Sequence, residues 1–215
     1  DYLEPSEIQF GDRGEQRRSH SSGPVVSSYL QCTLKRCLDI AGALMLATAF
    51  SPIIVIAILV SSATPGRIFF SQKRMGASGE EFQCLKFRTM IPDAEERLQK
   101  LLELDPAAKA EWGATRKLKN DPRITKLGRF LRKTSLDELP QLWNVLRGDM
   151  SLVGPRPVVS DELDEYGRGA VYYLAARPGL TGLWQVSGRN DVRYGRRIAL
   201  DRAYVGSASL LLDLK

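Results

Sequence analysis

An uncharged apolar run at residues 40–60, IAGALMLATAFSPIIVIAILV, constrains the fold of this chain more than any other feature. About 20 apolar residues are long enough for a membrane helix. Ser51 and Pro52 interrupt the run near its middle, where a proline removes a backbone hydrogen bond and clashes with the preceding turn. The sequence therefore predicts a hydrophobic helix that is broken at Ser51-Pro52.

The charges that flank this run indicate how it sits. Positive residues lie on both sides of it, namely Lys35, Arg36, Arg67, Lys73 and Arg74. Because positive flanks stay on the cytoplasmic side, both ends are expected there. We predict a re-entrant membrane helix hairpin over residues 33–65 that enters one leaflet and returns, with Ser51 bonding a carbonyl freed by the break. A kinked helix that spans the membrane is the alternative.

Composition limits the classes of function that the chain can have. The 215 residues carry a formal net charge of +6 and 43% hydrophobic residues, enough for one modest domain beside the membrane element. The positive excess suits anionic lipid and phosphate groups, but no aromatic-interleaved basic stripe indicates nucleic acid as a partner. The three cysteines form no C-x-x-C pair and His20 is the only histidine, which argues against disulfide, zinc and histidine-based chemistry.

Periodicity predicts an α+β fold that is mainly helical, with cytoplasmic amphipathic helices and a small β-hairpin. We expect a flexible polar tail over residues 1–32 and a cytoplasmic domain over residues 66–215. The expected elements are a hairpin formed by 68–70 and 81–85, helices at 92–104, 106–119, 125–133, 161–173 and 194–205, and an irregular loop at 177–184. In the basic helix 125–133, Leu127, Phe130 and Leu131 face either the membrane interface or the core.

The stretch LRKTSLDELPQLWNVLRGDMSLVGPRP, residues 131–157, contains the adjacent acids Asp137 and Glu138. Ser135 followed three residues later by Glu138 matches a capping box, which predicts a helix that begins at Leu136. Acids in a first helical turn often only offset the free N–H groups of that turn. A helix start would also favour the ionised form of Asp137.

Cations around this acidic pair favour a role in chemistry. Arg132 and Lys133 precede it, and Arg156 lies between two prolines. Such a helix N-terminus suits phosphate, but carboxylates there repel phosphate unless a divalent cation lies between them. Oxygen ligands and phosphates are what Mg²⁺ prefers, so the pattern predicts a magnesium-bridged phosphoryl or pyrophosphoryl substrate.

Two other observations refine the expected chemistry. Side chains at adjacent helical positions do not straddle a sugar ring, which disfavours a glycoside hydrolase. Attack of an aspartate on phosphorus is more natural for this pair.

Lys86 and Arg88 would share one face of a strand, either as ordinary surface residues or as phosphate contacts.

Several motifs in order resemble the bacterial sugar transferase family, the monotopic phosphoglycosyl transferases, from about residue 33 to 215. The motifs are Lys35-Arg36-x-x-Asp39, Ser51-Pro52, KFRTM, the 131–157 stretch and ARPGLTGLWQVSGR, which begins at Ala176 and includes the further candidate substrate-binding residue Arg177. The resemblance implies transfer of a sugar 1-phosphate from a UDP-sugar to undecaprenyl phosphate with release of UMP, at the cytoplasmic face of the bacterial inner membrane.

The resemblance also implies roles for residues. Asp137 would be the nucleophile and would bind Mg²⁺, Glu138 would be its partner, and Arg132 and Arg156 would hold phosphates. Ser51-Pro52 would break the re-entrant helix.

Residues 105–128 resemble the subgroup that starts exopolysaccharide synthesis, and overall likeness favours UDP-galactose over UDP-glucose as donor. Residues 204–209 depart from the family pattern because they lack the aromatic that is usual there, so the resemblance does not extend to a C-terminal membrane contact. Two other functions stay open: a non-catalytic membrane-anchored assembly protein, and transfer of sugar without phosphate, which would release UDP. A homo-oligomer also stays open.

Overall fold

The computed structural model describes residues 26–63, 65–115, 118–188 and 193–215, and shows an α+β fold that is mainly helical. The α-helices are α1 (Thr33–Ala49), α2 (Ser51–Ser62), α3 (Ala94–Leu104), α4 (Pro106–Thr115), α5 (Lys126–Thr134), α6 (Gln141–Arg147), α7 (Ser160–Glu165), α8 (Ala170–Leu174), α9 (Leu183–Val186), α10 (Tyr194–Ser207) and α11 (Leu210–Asp213). The strands are β1 (Phe69–Met75), β2 (Glu81–Phe87), β3 (Ser151–Val153) and β4 (Gly179–Thr181).

The apolar run forms a bent helix pair, as predicted. Helices α1 and α2 meet at Phe50 with a bend of 62°. Pro52 lies in the first turn of α2, where its missing N–H costs nothing, and the Ser51 hydroxyl donates to the Thr48 carbonyl at 2.8 Å. Of the helices described, none is long and apolar enough to cross a membrane by itself. Only when α1 and α2 are taken together are the length and the apolar composition sufficient. The break is confirmed and the re-entrant hairpin stays a prediction.

One face of the helix pair packs on the domain and the other is exposed. Ala43 and Ala57 are buried in two separate core clusters. The outward side chains are large and apolar, including Leu44, Met45, Val55, Ile56, Leu59 and Val60. Contiguous exposed apolar surfaces often mark protein–protein or membrane contacts.

The predicted hairpin is confirmed and is longer than expected. Strands β1 and β2 pair antiparallel from Phe69 opposite Phe87 to Met75 opposite Glu81. A 3₁₀ turn at Ala77–Gly79 connects them, in which Ser78 has a φ of 60°. Met75 also donates its N–H to Val158, so the hairpin is tied to the chain that follows β3.

Helix α6 is fixed from two sides by polar contacts. The buried amide of Asn144 accepts a hydrogen bond from the Leu85 N–H at 3.0 Å and donates to the Gln83 carbonyl at 2.8 Å. Arg36 of α1 donates to the carbonyls of Val145 and Leu146 at 2.6 and 2.9 Å. Because the polar groups at the end of a helix need partners, Arg36 ties α6 to the apolar helix pair.

A buried ionic network joins the start of α1 to the end of the described chain. Lys35 lies 3.1 Å from Asp39 and 2.7 Å from Asp213 of α11. Asp39 also accepts hydrogen bonds from the Ser151 hydroxyl and the Leu152 N–H, both at 3.0 Å. Lys35 and Arg36 therefore bond within the protein, so they are not free flanking charges as the prediction of topology assumed.

Strands β3 and β4 form a short parallel pair that was not predicted. Ser151 pairs with Gly179 and Val153 with Thr181. A Cβ atom at Gly179 would overlap the Gly154 nitrogen, so glycine is needed for this close approach. The prediction of an irregular loop at residues 177–184 is therefore wrong, because the segment contains β4 and the start of α9.

Other expected boundaries need correction. The helix predicted at 161–173 is interrupted, because Gly167 takes a left-handed φ of 48° between α7 and a 3₁₀ turn that leads into α8. In α5, Leu131 is buried and Leu127 packs against it, which places both in the core. Phe130 is exposed.

The predicted tail ends earlier than residue 32. Residues 1–25 lie outside the described residues. Ser27 donates its N–H to Val205 at 2.9 Å and its hydroxyl to the Ala208 carbonyl at 2.6 Å. A 3₁₀ turn at Ser28–Gln31 follows, so this part of the chain is packed on α10.

Replacement of Lys35 by methionine tests the ionic network. Asp39 and Asp213 would then face each other without their cation, and we expect the free energy of unfolding to fall by about 3–5 kcal/mol. Lys73→Met is the matched control, because Lys73 pairs with Glu81 at 2.9 Å on the solvent-exposed hairpin. Thermal melting in detergent should show a large drop for the first variant and almost none for the control. Equal small shifts would contradict a structural role for the network.

Candidate active site

The acidic pair lies in a short 3₁₀ turn, Leu136–Glu138, between α5 and α6. Ser135 has a left-handed φ of 58°, donates its N–H to the Arg132 carbonyl and makes no side-chain capping bond to the turn. The predicted capping box is wrong, because the capping position needs an extended backbone and Ser135 instead ends α5. Helix α6 begins only at Gln141, after Pro140.

A cavity of about 600 Å³ lies beside this turn, and we call it the reaction cavity. Its volume is typical of small-molecule sites. It is lined by Arg132, Lys133, Ser135, Asp137, Glu138, Leu139, Arg156, Leu180, Thr181, Trp184, Gln185 and Val186. Three cations and two carboxylates on one surface suit an anionic ligand that carries or recruits a metal ion.

Burial dominates the electrostatics of Asp137. It raises the pKa of this carboxyl above its ordinary value; Lys86 and Arg132 lower the pKa and the adjacent Glu138 raises it further. A backbone hydrogen bond at Asp137 lowers the pKa, in the direction that the sequence predicts, but burial raises it overall. The turn is only three residues long, and the loss of water around the carboxylate raises the pKa by more than the turn lowers it.

Glu138 is held by Lys86 of β2. The Lys86 ammonium lies 2.6 Å from Glu138 Oε1. Lys86, Glu138 and Arg156 also line a small cavity that adjoins the reaction cavity. The structure thus brings Lys86 to the site, where it pairs with the acid next to Asp137.

The two predicted phosphate-binding arginines reach the reaction cavity from different elements. Arg132 of α5 donates from Nε to the Thr89 hydroxyl at 2.8 Å. Arg156 lies with its guanidinium 5.7 Å from the centre of the Trp184 ring, an attractive cation–π arrangement. Both side chains are oriented by contacts within the protein.

The loop that carries Arg156 is held by two further contacts. Arg74 of β1 donates to the Pro157 carbonyl at 3.2 Å. The Val158 N–H donates to the buried hydroxyl of Tyr173 at the same distance. Arg156 therefore sits on a loop that is fixed at the two residues that follow it, which limits the positions that its charge can take.

Two other candidate residues lie outside the lining of the reaction cavity. Arg88 donates from its guanidinium to the Pro65 carbonyl. Arg177 lines a separate cavity of about 290 Å³, together with Glu80 and Asp149. A strand face shared with Lys86 does not bring Arg88 to the acidic pair. A motif shared with Trp184 does not bring Arg177 there.

Three site residues were not identified from the sequence. Trp184 is buried between Arg156 and Arg197, whose guanidinium lies 4.6 Å from the ring centre. Thr89 orients Arg132. Asp201 of α10 is buried and accepts a hydrogen bond from the Tyr166 hydroxyl at 2.9 Å. The positive charge of Arg156 acts to lower the pKa of the Asp201 carboxyl. The KFRTM motif points to Thr89, but no sequence signal distinguishes Asp201 from a surface acid.

The donor set of the reaction cavity fits Mg²⁺. No group of three or more His, Cys, Asp or Glu side chains clusters as a metal site in the described residues. A closed zinc or calcium cage is therefore not formed there. Mg²⁺ is commonly held by one or two carboxylates together with substrate phosphates, and Asp137 supplies such a carboxylate at the cavity wall.

Comparison by sequence finds similar proteins over most of the chain. A family model described as "Bacterial sugar transferase" matches residues 30–215. The chain is 54% identical over 181 residues to a UDP-galactose-lipid carrier transferase of Erwinia amylovora, covering 84% of this chain and 38% of the relative. It is 53% identical to the exopolysaccharide production protein ExoY of Rhizobium meliloti, covering 84% and 80%. An undecaprenyl-phosphate galactose phosphotransferase of Salmonella typhimurium is 52% identical, again with 84% and 38% covered.

Asp201→Asn tests the buried carboxyl through its pH dependence. Burial raises the pKa of Asp201 from 3.8 to about 7, so between those values the folded chain keeps a proton that the unfolded chain loses. Stability from this group is full below pH 4 and is lost as the pH rises through 7. The melting temperature of Asp201→Asn should therefore match that of the native chain at pH 4 and exceed it at pH 8.

Titratable groups that Asp201→Asn and the native chain share affect both melting temperatures equally, so they do not contribute to the difference between them. Asp161→Asn, in the exposed first turn of α7, is the control for the loss of one carboxyl group at a surface position. A variant at position 201 that is less stable than the native chain at pH 8 would show instead that the ionised carboxylate stabilises the fold.

Proposed function

The chain belongs to the bacterial sugar transferase family, and on that premise we propose that it transfers a hexose 1-phosphate from a UDP-sugar to undecaprenyl phosphate and releases UMP. Two of the relatives are named for transfer of galactose or its phosphate to a lipid carrier. The chain spans 38% of the length of each. The observation that carries it is Asp137 on the wall of a cavity lined by Arg132, Lys133 and Arg156.

In the first step, a carboxylate oxygen of Asp137 attacks the phosphorus that bears the sugar. The bond from this phosphorus to the oxygen that bridges it to the other phosphate breaks, and UMP leaves with that oxygen. Asp137 then carries the hexose phosphate as an acyl phosphate. Partial burial supports this role, because a carboxylate with a raised pKa is more basic and more nucleophilic once it is ionised.

In the second step, a phosphate oxygen of undecaprenyl phosphate attacks the same phosphorus. The bond to the Asp137 oxygen breaks, which restores the carboxylate and forms the diphosphate-linked sugar. Arg132 and Arg156 stabilise the charge on the phosphate oxygens in both steps. Glu138 stays paired with Lys86 and sets the local field in which Asp137 ionises.

Asp137 would also hold Mg²⁺ together with the pyrophosphate of the donor. When bound, the metal ion would neutralise negative charge on the phosphate oxygens and on the departing UMP. The arginines alone leave the approach of a carboxylate to a dianionic pyrophosphate unfavourable. The adjacent Glu138, already neutralised by Lys86, adds little to that repulsion.

We further propose that the bent helix pair anchors the chain at the cytoplasmic face of the bacterial inner membrane. At 1.5 Å per residue, α1 and α2 are about 26 and 18 Å long, and a symmetric pair with this bend reaches only about 10 Å in depth. That reach stays within one leaflet of a hydrocarbon core about 30 Å thick. The exposed apolar side chains of both helices and the exposed Arg67 after α2 suit this placement.

UDP-galactose is the proposed donor, with UDP-glucose as the alternative. The choice rests on the relatives that are named for galactose. We propose that this transfer starts exopolysaccharide synthesis, and the similarity to the exopolysaccharide production protein ExoY supports this role.

Asp137→Asn should abolish the reaction. An amide cannot attack phosphorus as a carboxylate does, and we expect UMP release from UDP-galactose and undecaprenyl phosphate to fall by about a thousandfold or more. Asp161→Asn, which changes an exposed acid in the first turn of α7, is the matched control and should retain full activity. Chromatography of the released nucleotide gives the readout.

Three outcomes would contradict the proposal. Release of UDP by the native chain would show transfer of sugar without phosphate. Retention of activity in Asp137→Asn would remove this residue from the chemistry, and no release of either nucleotide would favour a non-catalytic assembly protein.

A further inference from the structure

A second cavity, of about 380 Å³, lies between the bend of the helix pair and the site, and we call it the apolar groove. It is lined by Ala47, Ile54, Phe69, Leu85, Phe87, Leu139, Pro140, Leu142, Trp143 and Leu146. Every lining side chain is apolar, in contrast to the reaction cavity. A surface of this kind does not suit a nucleotide or a sugar.

The apolar groove is adjacent to the reaction cavity, and the two share one lining residue. Leu139 lines both, and it directly follows Glu138 in the chain. A ligand that occupied both would have an apolar part beside Leu139 on one side and a charged part beside Asp137 on the other. The two cavities together therefore match an amphipathic molecule with an anionic head.

The apolar groove also reaches the membrane-facing part of the fold. Ala47 and Ile54 lie on either side of the bend at Phe50. Phe69 and Trp143 at the groove are substantially exposed, as are the apolar side chains of α1 and α2. A lipid chain could thus pass from the leaflet into the groove without crossing a polar surface.

We propose that the apolar groove binds the first isoprene units of the acceptor and directs its phosphate past Leu139 to Asp137. This proposal rests on the proposed function, in which the acceptor is a polyprenyl phosphate. A chain that leaves lipid for the groove gains little from the hydrophobic effect, because lipid is equally apolar. The groove therefore acts by orienting the acceptor, and its loss should affect the second step alone.

Strand β1 offers a matched pair of variants. Phe69 and Phe70 are adjacent, and both are exposed, at 45% and 52%. Neighbouring side chains on a strand point to opposite faces, and only Phe69 is among the lining residues of the groove. Phe69→Ala removes a groove wall, whereas Phe70→Ala removes the same ring from the other face.

The two steps are measured separately on the full chain in detergent micelles. With UDP-galactose alone, each enzyme molecule should release one UMP, and both variants should do so at the native rate. Undecaprenyl phosphate is then added and the transfer of the bound hexose phosphate is followed. We expect the rate of this transfer by Phe69→Ala to fall by about tenfold, and that by Phe70→Ala to stay within about twofold of the native value.

Ala47→Phe provides a second test from the opposite wall, because a ring at this position would fill the groove. Its single UMP release would show that the site is folded, and its transfer to undecaprenyl phosphate should be slow. Equal transfer by Phe69→Ala and Phe70→Ala, with normal UMP release, would overturn the groove proposal and assign the cavity to bulk lipid. Absence of UMP release by the native chain would instead overturn the proposed function.

Discussion

The site depends on an electrostatic balance around one partly buried carboxylate. Loss of water around Asp137 raises its pKa, whereas the charges of Lys86 and Arg132 lower it. Burial makes the carboxylate basic, and the cations allow it to ionise and bring phosphate towards it. The two effects act together, because burial makes a carboxylate more basic and nearby cations favour its ionised form.

This balance is created by elements that are distant in the sequence. Lys86 comes from the hairpin, Arg132 from α5 and Arg156 from the loop after β3. Their positions follow from contacts that have no direct part in chemistry, namely the amide of Asn144 between α6 and β2, and the close approach of Gly154 and Gly179. The bent helix pair is tied to the same core by Arg36 and by the Lys35 network. The helix pair and the site therefore form one unit.

Local features of the fold could be predicted from the sequence, and features that depend on tertiary packing could not. Pro52 dictates the helix break by its own covalent structure, and the alternating strands with a glycine-rich turn dictate the hairpin. The capping box failed because Ser135 belongs to the preceding helix, which a pattern of four residues does not reveal. The parallel β3–β4 pair joins segments that are too short to show a period.

The candidate site shows the same division. The adjacent acids and their flanking cations could be recognised because they are close in the sequence. Arg88 and Arg177 were included on the basis of neighbouring motif residues, and the structure directs both side chains elsewhere. Asp201, Trp184 and the apolar groove arise where α10, α9 and the hairpin meet other elements, and no run of residues encodes that meeting.

Intact mass measurement of the chain after incubation with UDP-galactose, without any acceptor, tests the central claim most directly. The account predicts that the chain gains the mass of one hexose phosphate, that the addition maps to the peptide that contains Asp137, and that undecaprenyl phosphate removes it. Formation of the lipid-linked product by a chain that never carries this added mass would contradict the account.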